Sequence, residues 1–148
     1  MQPGIGKFAR QKDGLPHYAE VAVTVDSASR ERSIEFHCTG AGWTGQGYLE
    51  DAPTTGYDDW KAGAQVGAKF ACEIAGVPGA RVRIERITGM QTDTNPTIVA
   101  AAAALAVWNA IGFEPAHSVH ALVEAHVFAS WKRERDEIPD LAVLNDRS

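Results

Sequence analysis

Cysteine is scarce in this chain of 148 residues, with only Cys38 and Cys72 present. A disulfide-dense miniprotein is therefore excluded. Two small thiols in apolar segments read as buried reduced side chains, with a single bridge between them as the alternative. Long apolar runs are also missing. The longest, Ile98 to Trp108, is eleven residues and mostly alanine, where a bilayer needs about 20. No membrane partner is expected. The opening Met-Gln-Pro-Gly-Ile-Gly-Lys has no apolar h-region, so the expected address is cytoplasmic. Positive charge is in deficit: 14 Lys and Arg stand against 19 Asp and Glu, a formal net charge of −5. A wholesale basic nucleic-acid binder is not the default, which leaves room only for a local basic patch. Internal repeats and low-complexity segments are absent, and so are a Gly-x-x-x-x-Gly-Lys-Ser/Thr phosphate loop and a Gly-x-Ser-x-Gly nucleophile elbow.

What is present is ordinary globular material, 45% hydrophobic and 22% charged. The length fits one domain over residues 1–148, with a core from about 5 to 135 and a frayed tail over 136–148. Ile5 and Phe8 suit an edge strand, and Asp13-Gly14 is a hairpin-turn signal. Val21, Val23 and Val25 repeat at period two, as do Ile34, Phe36 and Cys38, which predicts two strands paired antiparallel. Residues 39–56 read as a long Gly-rich connection. Asp58 to Ala75 reads as a helix with Trp60, Ala64, Gly67, Phe70, Ala71 and Ile74 on one stripe, stopped by Gly76 and Pro78. A third strand over 80–87 points Val82 and Ile84 one way and Arg81, Arg83 and Glu85 the other. Pro96 fits the first position of a helix capped by Asn95 or Thr94 and ended by Gly112. Ala116 to about Arg135 reads as a last helix. Strand, strand, helix, strand, helix, helix predicts an α+β two-layer sandwich, a three- or four-stranded sheet with helices on one face.

Several residue sets bear on chemistry. Gly40-Ala-Gly42-Trp-Thr-Gly45 has the letters of a dinucleotide fingerprint, but no helix is predicted to start there, so a flexible loop is the better reading. Trp43 and Tyr48 in that loop suit stacking on a base or ring, or packing beneath the loop. Arg81, Arg83 and Arg86, with Lys7, Arg10 and Lys12, suit a phosphate-binding patch; the alternative is a sheet face balanced by Glu85 and Glu73. Thr92, Thr94 and Asn95 at a helix start suit an anion site, or capping alone. His117, His120 and Glu124 share a helical face, where a solvated polar surface competes with metal ligation. His17 with Asp13, or His37 with Cys38, has no spacing that compels catalysis. No catalytic residue, metal or cofactor is assigned.

The segment Lys7-Phe-Ala-Arg-Gln-Lys-Asp-Gly-Leu-Pro-His-Tyr-Ala-Glu-Val21 resembles the opening of domain IV of translation elongation factor G: a basic residue, Arg or Lys before Gln, a Gly-bearing turn, then Tyr-Ala-x-Val. Thr92-Asp93-Thr94-Asn95 sits where that family has an Asp-x-Asp-Ser-Ser-type loop, followed by a helix of small residues. The resemblance spans about residues 5–113. It implies a fold like the second domain of ribosomal protein S-five, with a left-handed βαβ crossover. It also implies a domain whose two tip loops reach the ribosomal decoding site in mimicry of a transfer-RNA anticodon arm. The tip departs from the family. Its Gly-Gly-x-x-Pro segment is replaced by acidic and Thr-rich residues 49–57, and its tip histidine falls near Met90 or Gln91. With no GTPase part, the chain looks like a free-standing relative of one domain.

Three functional readings follow. The first is a non-enzymatic module that binds RNA or a ribonucleoprotein such as the ribosome. The second is a small-molecule binder or enzyme on the same fold, using loop 39–56 as a lid. The third is a homo-oligomeric or partner-docking subunit, built on an open sheet edge and closely packing alanine helices.

Overall fold

The computed structural model describes residues 1–141. Its first unit is a long hairpin of β1 (Gln2–Lys12) and β2 (Leu15–Asp26). Asp13 and Gly14 both adopt positive φ, 54° and 76°, which makes the two-residue turn whose twist matches the strands it joins. β2 alternates as its valines predict. Ala19, Val21, Val23 and Val25 are buried, and the residues between them lie half-buried on the opposite face.

β3 (Ser33–Phe36) does not pair with β2, contrary to the antiparallel pairing predicted from sequence. Both flank β5 (Arg81–Gly89), with β2 antiparallel and β3 parallel to it. Ser33 and Asp26 meet the same residue, Arg81, from opposite sides. β3, the helix α1 (Asp58–Ala75) and β5 thus form a βαβ unit inserted beside the hairpin. A two-residue strand, β4 (Glu50–Asp51), pairs with the end of β5 inside the segment read as a loop. The sheet order is β1-β2-β5-β3, with β4 beside β5.

α1 and α2 (Pro96–Ile111) have the bounds the sequence predicts. Asn95 caps α2 through its side-chain oxygen, which accepts from the Ile98 N–H at 2.9 Å, and Gly112 ends it in the left-handed conformation. α2 is buried nearly all round, and glycines let its neighbours approach its backbone. A Cβ on Gly63 or Gly67 of α1 would lie 2.3 Å from the Pro96 carbonyl oxygen or 2.0 Å from that of Ala100. On the sheet side, Gly4 and Gly6 of β1 stand in the same relation to Ala106 and Ala102.

α3 (His117–Phe128) is shorter than the predicted helix to Arg135. Ser130 explains the stop. Its hydroxyl donates to the Val127 carbonyl at 2.6 Å and accepts from the Asn95 amide at 2.9 Å, drawing the chain into a 3-10 turn at 130–132. That turn sets the Trp131 indole N–H on the Pro16 carbonyl, 2.8 Å away. In the segment predicted to fray, Pro139 and Leu141 are buried and Asp136 to Ile138 are exposed; its remainder lies outside the described residues. The architecture is an α+β two-layer sandwich with a mixed open sheet. Cys38 and Cys72 are free and buried. Among the described residues no helix is long and apolar enough to cross a membrane.

Candidate functional site

The predicted basic patch divides between two faces. Arg81, Arg83 and Arg86 share the uncovered face of the sheet, because a bulge between Ala22 and Val23 brings Arg86 opposite Ala22. Plain alternation would have turned Arg86 inward. Arg81 forms a two-pronged pair with Glu35, and Arg86 reaches Glu20 at 3.3 Å. Glu85 accepts from Thr24 at 2.9 Å, and Glu73 pairs with Arg32 rather than with this face. Among the described residues, Arg83 is the one of the three arginines without an ion pair. Lys7 lies on the same face over the Tyr18 ring, 5.8 Å from its centroid. Arg10 and Lys12 point to the other side, Arg10 to Glu124 at 3.0 Å and Lys12 over Phe128. The six cations therefore form no single patch.

The predicted anion site is also corrected. Thr94 and Asn95 are buried. Thr94 accepts from the Met90 N–H and donates to the Tyr18 carbonyl, while Asn95 caps α2 and holds Ser130. Thr92 is exposed, but its hydroxyl lies on the Asp93 carboxylate at 2.6 Å. These residues fix the start of α2 and leave no cradle for an anion.

The loop chemistry is different. Gly40 and Gly42 donate backbone N–H groups to Ala52 and Asp51, and Ala52 donates to Ile87. The 39–56 segment thus doubles back with its base pinned to β5, and no helix follows Gly45 to complete a dinucleotide site. What projects from the pinned base is the turn carrying Trp43 and Tyr48, which are 63% and 68% exposed. This turn faces Met90, Gln91 and Thr92, the loop between β5 and α2, across a cleft of about 50 Å³.

Glu50 lines that cleft, yet it is only 3% exposed. Its Oε2 accepts from the Tyr57 hydroxyl and, at 3.5 Å, from the Gln91 amide, and its Oε1, a buried atom, has no partner among the described residues. Tyr57 itself holds a left-handed backbone, φ 57°, where a bulky side chain is an outlier. Its ring meets Trp60 edge-on at 4.9 Å. Burial, and then the hydrogen bond to Glu50, push the Tyr57 hydroxyl up to about 12. Tyr57 therefore stays protonated as a donor to Glu50. What the arrangement offers a ligand is two exposed rings that can stack on a flat ring. Sequence reasoning singled out Trp43 and Tyr48, touched Gln91 only through the resemblance, and missed Glu50 and Tyr57.

The remaining groups are engaged elsewhere or buried. Burial raises the Cys38 and Cys72 thiols, away from a reactive thiolate. His17 packs against Phe128 rather than pairing with Asp13; it is 1% exposed and lies beside the backbone of Arg10 and Leu15. His120 lies 3.1 Å from Glu114 while Glu124 holds Arg10, so these two do not converge. A groove of about 400 Å³ between β1, α2 and α3 is lined by Phe8, Leu105, Trp108 and Val123, with the Arg10–Glu124 pair beside them. β1 is an outer strand, and one of its carbonyls, at Ile5, is taken by Asn109 at 2.7 Å.

No family model matches the chain, and no curated protein matches it. Among solved structures, the fold is similar to that of a protein from Thermus thermophilus, at 19% sequence identity and a TM-score of 0.50. The match covers 72% of this chain and 15% of that one, so this chain corresponds to a small part of a much longer protein. The likeness is one of fold.

Proposed function

We propose that this chain is a relative of domain IV of elongation factor G. It acts as a non-enzymatic module that binds RNA or a ribonucleoprotein, with a cytoplasmic address. The observation that supports this reading is the tip: two loops side by side, with Trp43 and Tyr48 projecting into solvent beside Met90 and Gln91, near which the resemblance puts the family's tip histidine. Flat exposed rings are the sequence-tolerant way to hold unpaired bases. The paired arginines of the sheet face imply few phosphate contacts, so the salt dependence should be shallow.

The test is co-sedimentation with ribosomes and direct binding to short single-stranded RNA, at low and moderate salt. Trp43→Ala and Tyr48→Ala are each expected to weaken binding by about 1–3 kcal/mol. Arg81→Ala, which removes a cation already held by Glu35, should change it little. No binding to either probe at low salt overturns the reading.

A further inference from the structure

β1 ends the sheet: it pairs with β2 on one side, and among the described residues no strand pairs with the other. The two-residue turn makes Lys12 and Leu15 a hydrogen-bonded pair, so alternate residues from Lys12 back to Gln2 bond to β2 and those between them turn their backbone outward. Two contacts agree with that parity. The Ile5 carbonyl faces away from β2 and accepts from the Asn109 amide. Tyr18, opposite Ala9, turns its N–H away from β1 to the Asp93 carbonyl at 2.9 Å. Asn109 closes the edge at Ile5. Past it, Lys7, Ala9 and Gln11 present N–H and C=O groups outward, and no described segment pairs with them.

The side chains of this open stretch alternate between two faces. Phe8 and Arg10 turn to the helices and line the groove of about 400 Å³ with Leu105, Trp108 and Val123. The acid in that groove, Glu124, is answered by Arg10 at 3.0 Å. Lys7 turns to the uncovered face, over Tyr18. β1 carries Lys7, Arg10 and Lys12 and no acid, on a chain whose net charge is −5. Two copies of this edge would set those cations against each other, the device by which native sheets prevent edge-to-edge pairing. A strand added here must bring negative charge.

We propose that β1 takes up an acidic extended segment of a partner protein as an added antiparallel strand. Its backbone pairs with Lys7, Ala9 and Gln11, its acids lie beside Lys7, and its alternate apolar side chains enter the groove against Phe8, Leu105, Trp108 and Val123. Main-chain bonds supply the affinity of such an addition, and the pocket for alternate side chains supplies its selectivity. The surface uses none of the tip residues, and the inference does not rest on RNA binding.

The experiment uses the full chain and a labelled peptide, Glu-Val-Glu-Leu-Glu-Val-Glu, followed by fluorescence anisotropy at low salt. Binding in the micromolar range is expected. In the antiparallel pairing the glutamates aim their N–H groups at β1, and the valines and leucine aim theirs away. N-methylation of the internal glutamates should therefore weaken binding by roughly tenfold or more, through the loss of two backbone donors. N-methylation of the valines and leucine should leave it within about twofold, because those groups carry no ladder bond. Both methylated peptides keep the full charge. Ala9→Pro removes one outward N–H from an edge position where proline is accommodated, and should also weaken binding, with its melting temperature as the check on folding. Lys7→Glu should weaken it roughly three- to tenfold by placing like charges across the pair. If Ala9→Pro does not fold, the methylated peptides on the unaltered protein decide. No peptide binding, equal binding of the two methylated peptides, or undiminished binding by a folded Ala9→Pro overturns the proposal. A molar mass that doubles with concentration and is held to the monomer by Ala9→Pro also overturns it, and assigns the edge to a second copy.

Discussion

Replacing Gly67 by alanine tests the packing that carries the whole domain. Gly67 sits mid-helix in α1, where alanine has an intrinsic advantage of about 0.8–1.0 kcal/mol. Propensity alone therefore says the variant is more stable. The geometry says the opposite. The new Cβ would stand 2.0 Å from the Ala100 carbonyl oxygen, 2.7 Å from its carbon and 2.8 Å from its Cα. All three are backbone atoms of the buried helix α2, so no rotamer change relieves the contact, and the helices must separate by about 1 Å, which a close-packed interior resists. Overpacking typically costs about 1–3 kcal/mol, and a backbone clash belongs at the top of that range. Subtracting the propensity gain leaves about 2 kcal/mol of destabilisation. At about 2–4 °C per kcal/mol for a chain of this size, the melting temperature should fall by about 4–8 °C. Gln65→Ala, on the exposed side of the same helix, should stay within about 0.5 kcal/mol of the parent. Urea unfolding and calorimetry measure both. A Gly67→Ala protein as stable as the parent, or more so, would mean that the helices are not this close and that the small-residue interface is not what seats α2.

Asn95→Ala should cost about 1–2 kcal/mol by calorimetry, because α2 loses its cap, with a further loss from the Ser130 hydroxyl it leaves without a donor. Asn95→Asp, which keeps the cap acceptor and loses the amide, should fall between. Tyr57 titrates near 12, above its ordinary value of 10, so the unfolded chain ionises first; its contribution is fully present below about pH 10 and lost as the pH rises from 10 to 12. An ultraviolet titration should show Tyr57 and Tyr18 both late, since burial and the neighbouring Glu20 also raise Tyr18, and Tyr57→Phe should remove the one near 12. Burial lowers the His17 pKa, so its neutral form stabilises the fold above pH 6.5, and that stability is lost as the pH falls below 6.5. His17→Leu should flatten denaturation midpoints between pH 7.5 and 5.5, with His126, also lowered by burial, supplying the remaining slope.

The elements were legible where local chemistry decides them. Asn95-Pro96 and Gly112 bound α2 without help from the rest of the chain, and Asp13-Gly14 makes its own turn. Strand pairing was not local. Ile34 and Phe36 alternate identically whether their neighbour is β2 or β5, and the choice is made by α1, which carries the chain over to Arg81. The bulge did leave a trace: Ile84 and Ile87, both buried, are three apart instead of two. Gly4 and Gly6, alternating on one strand, signalled a close backbone approach that the strand reading passed over. The candidate site was half legible. Exposed Trp43 and Tyr48 stood out in a Gly-rich loop, whereas nothing in Leu49-Glu50-Asp51 says that the glutamate is the buried one. The left-handed backbone of Tyr57 comes from tertiary contacts.

Strain and orphaned polarity are unevenly distributed across this molecule, and the pattern bears on function. The sheet face answers two of its three arginines with carboxylates, and the start of α2 answers each of its polar groups. At the tip, a tyrosine is held in a conformation costing about 1–3 kcal/mol, and its hydroxyl goes to a buried glutamate whose second oxygen is unanswered. Both residues are anchored to the rigid part of the fold, Glu50 through its pairing with Gly89 and Tyr57 through Trp60 at the head of α1. The same glycine takes part in both anchors: a Cβ on Gly89 would meet the Trp60 ring at 2.9 Å and the Thr94 hydroxyl at 2.6 Å. One crowded point therefore sets the positions of β4, α1 and the loop into α2 together.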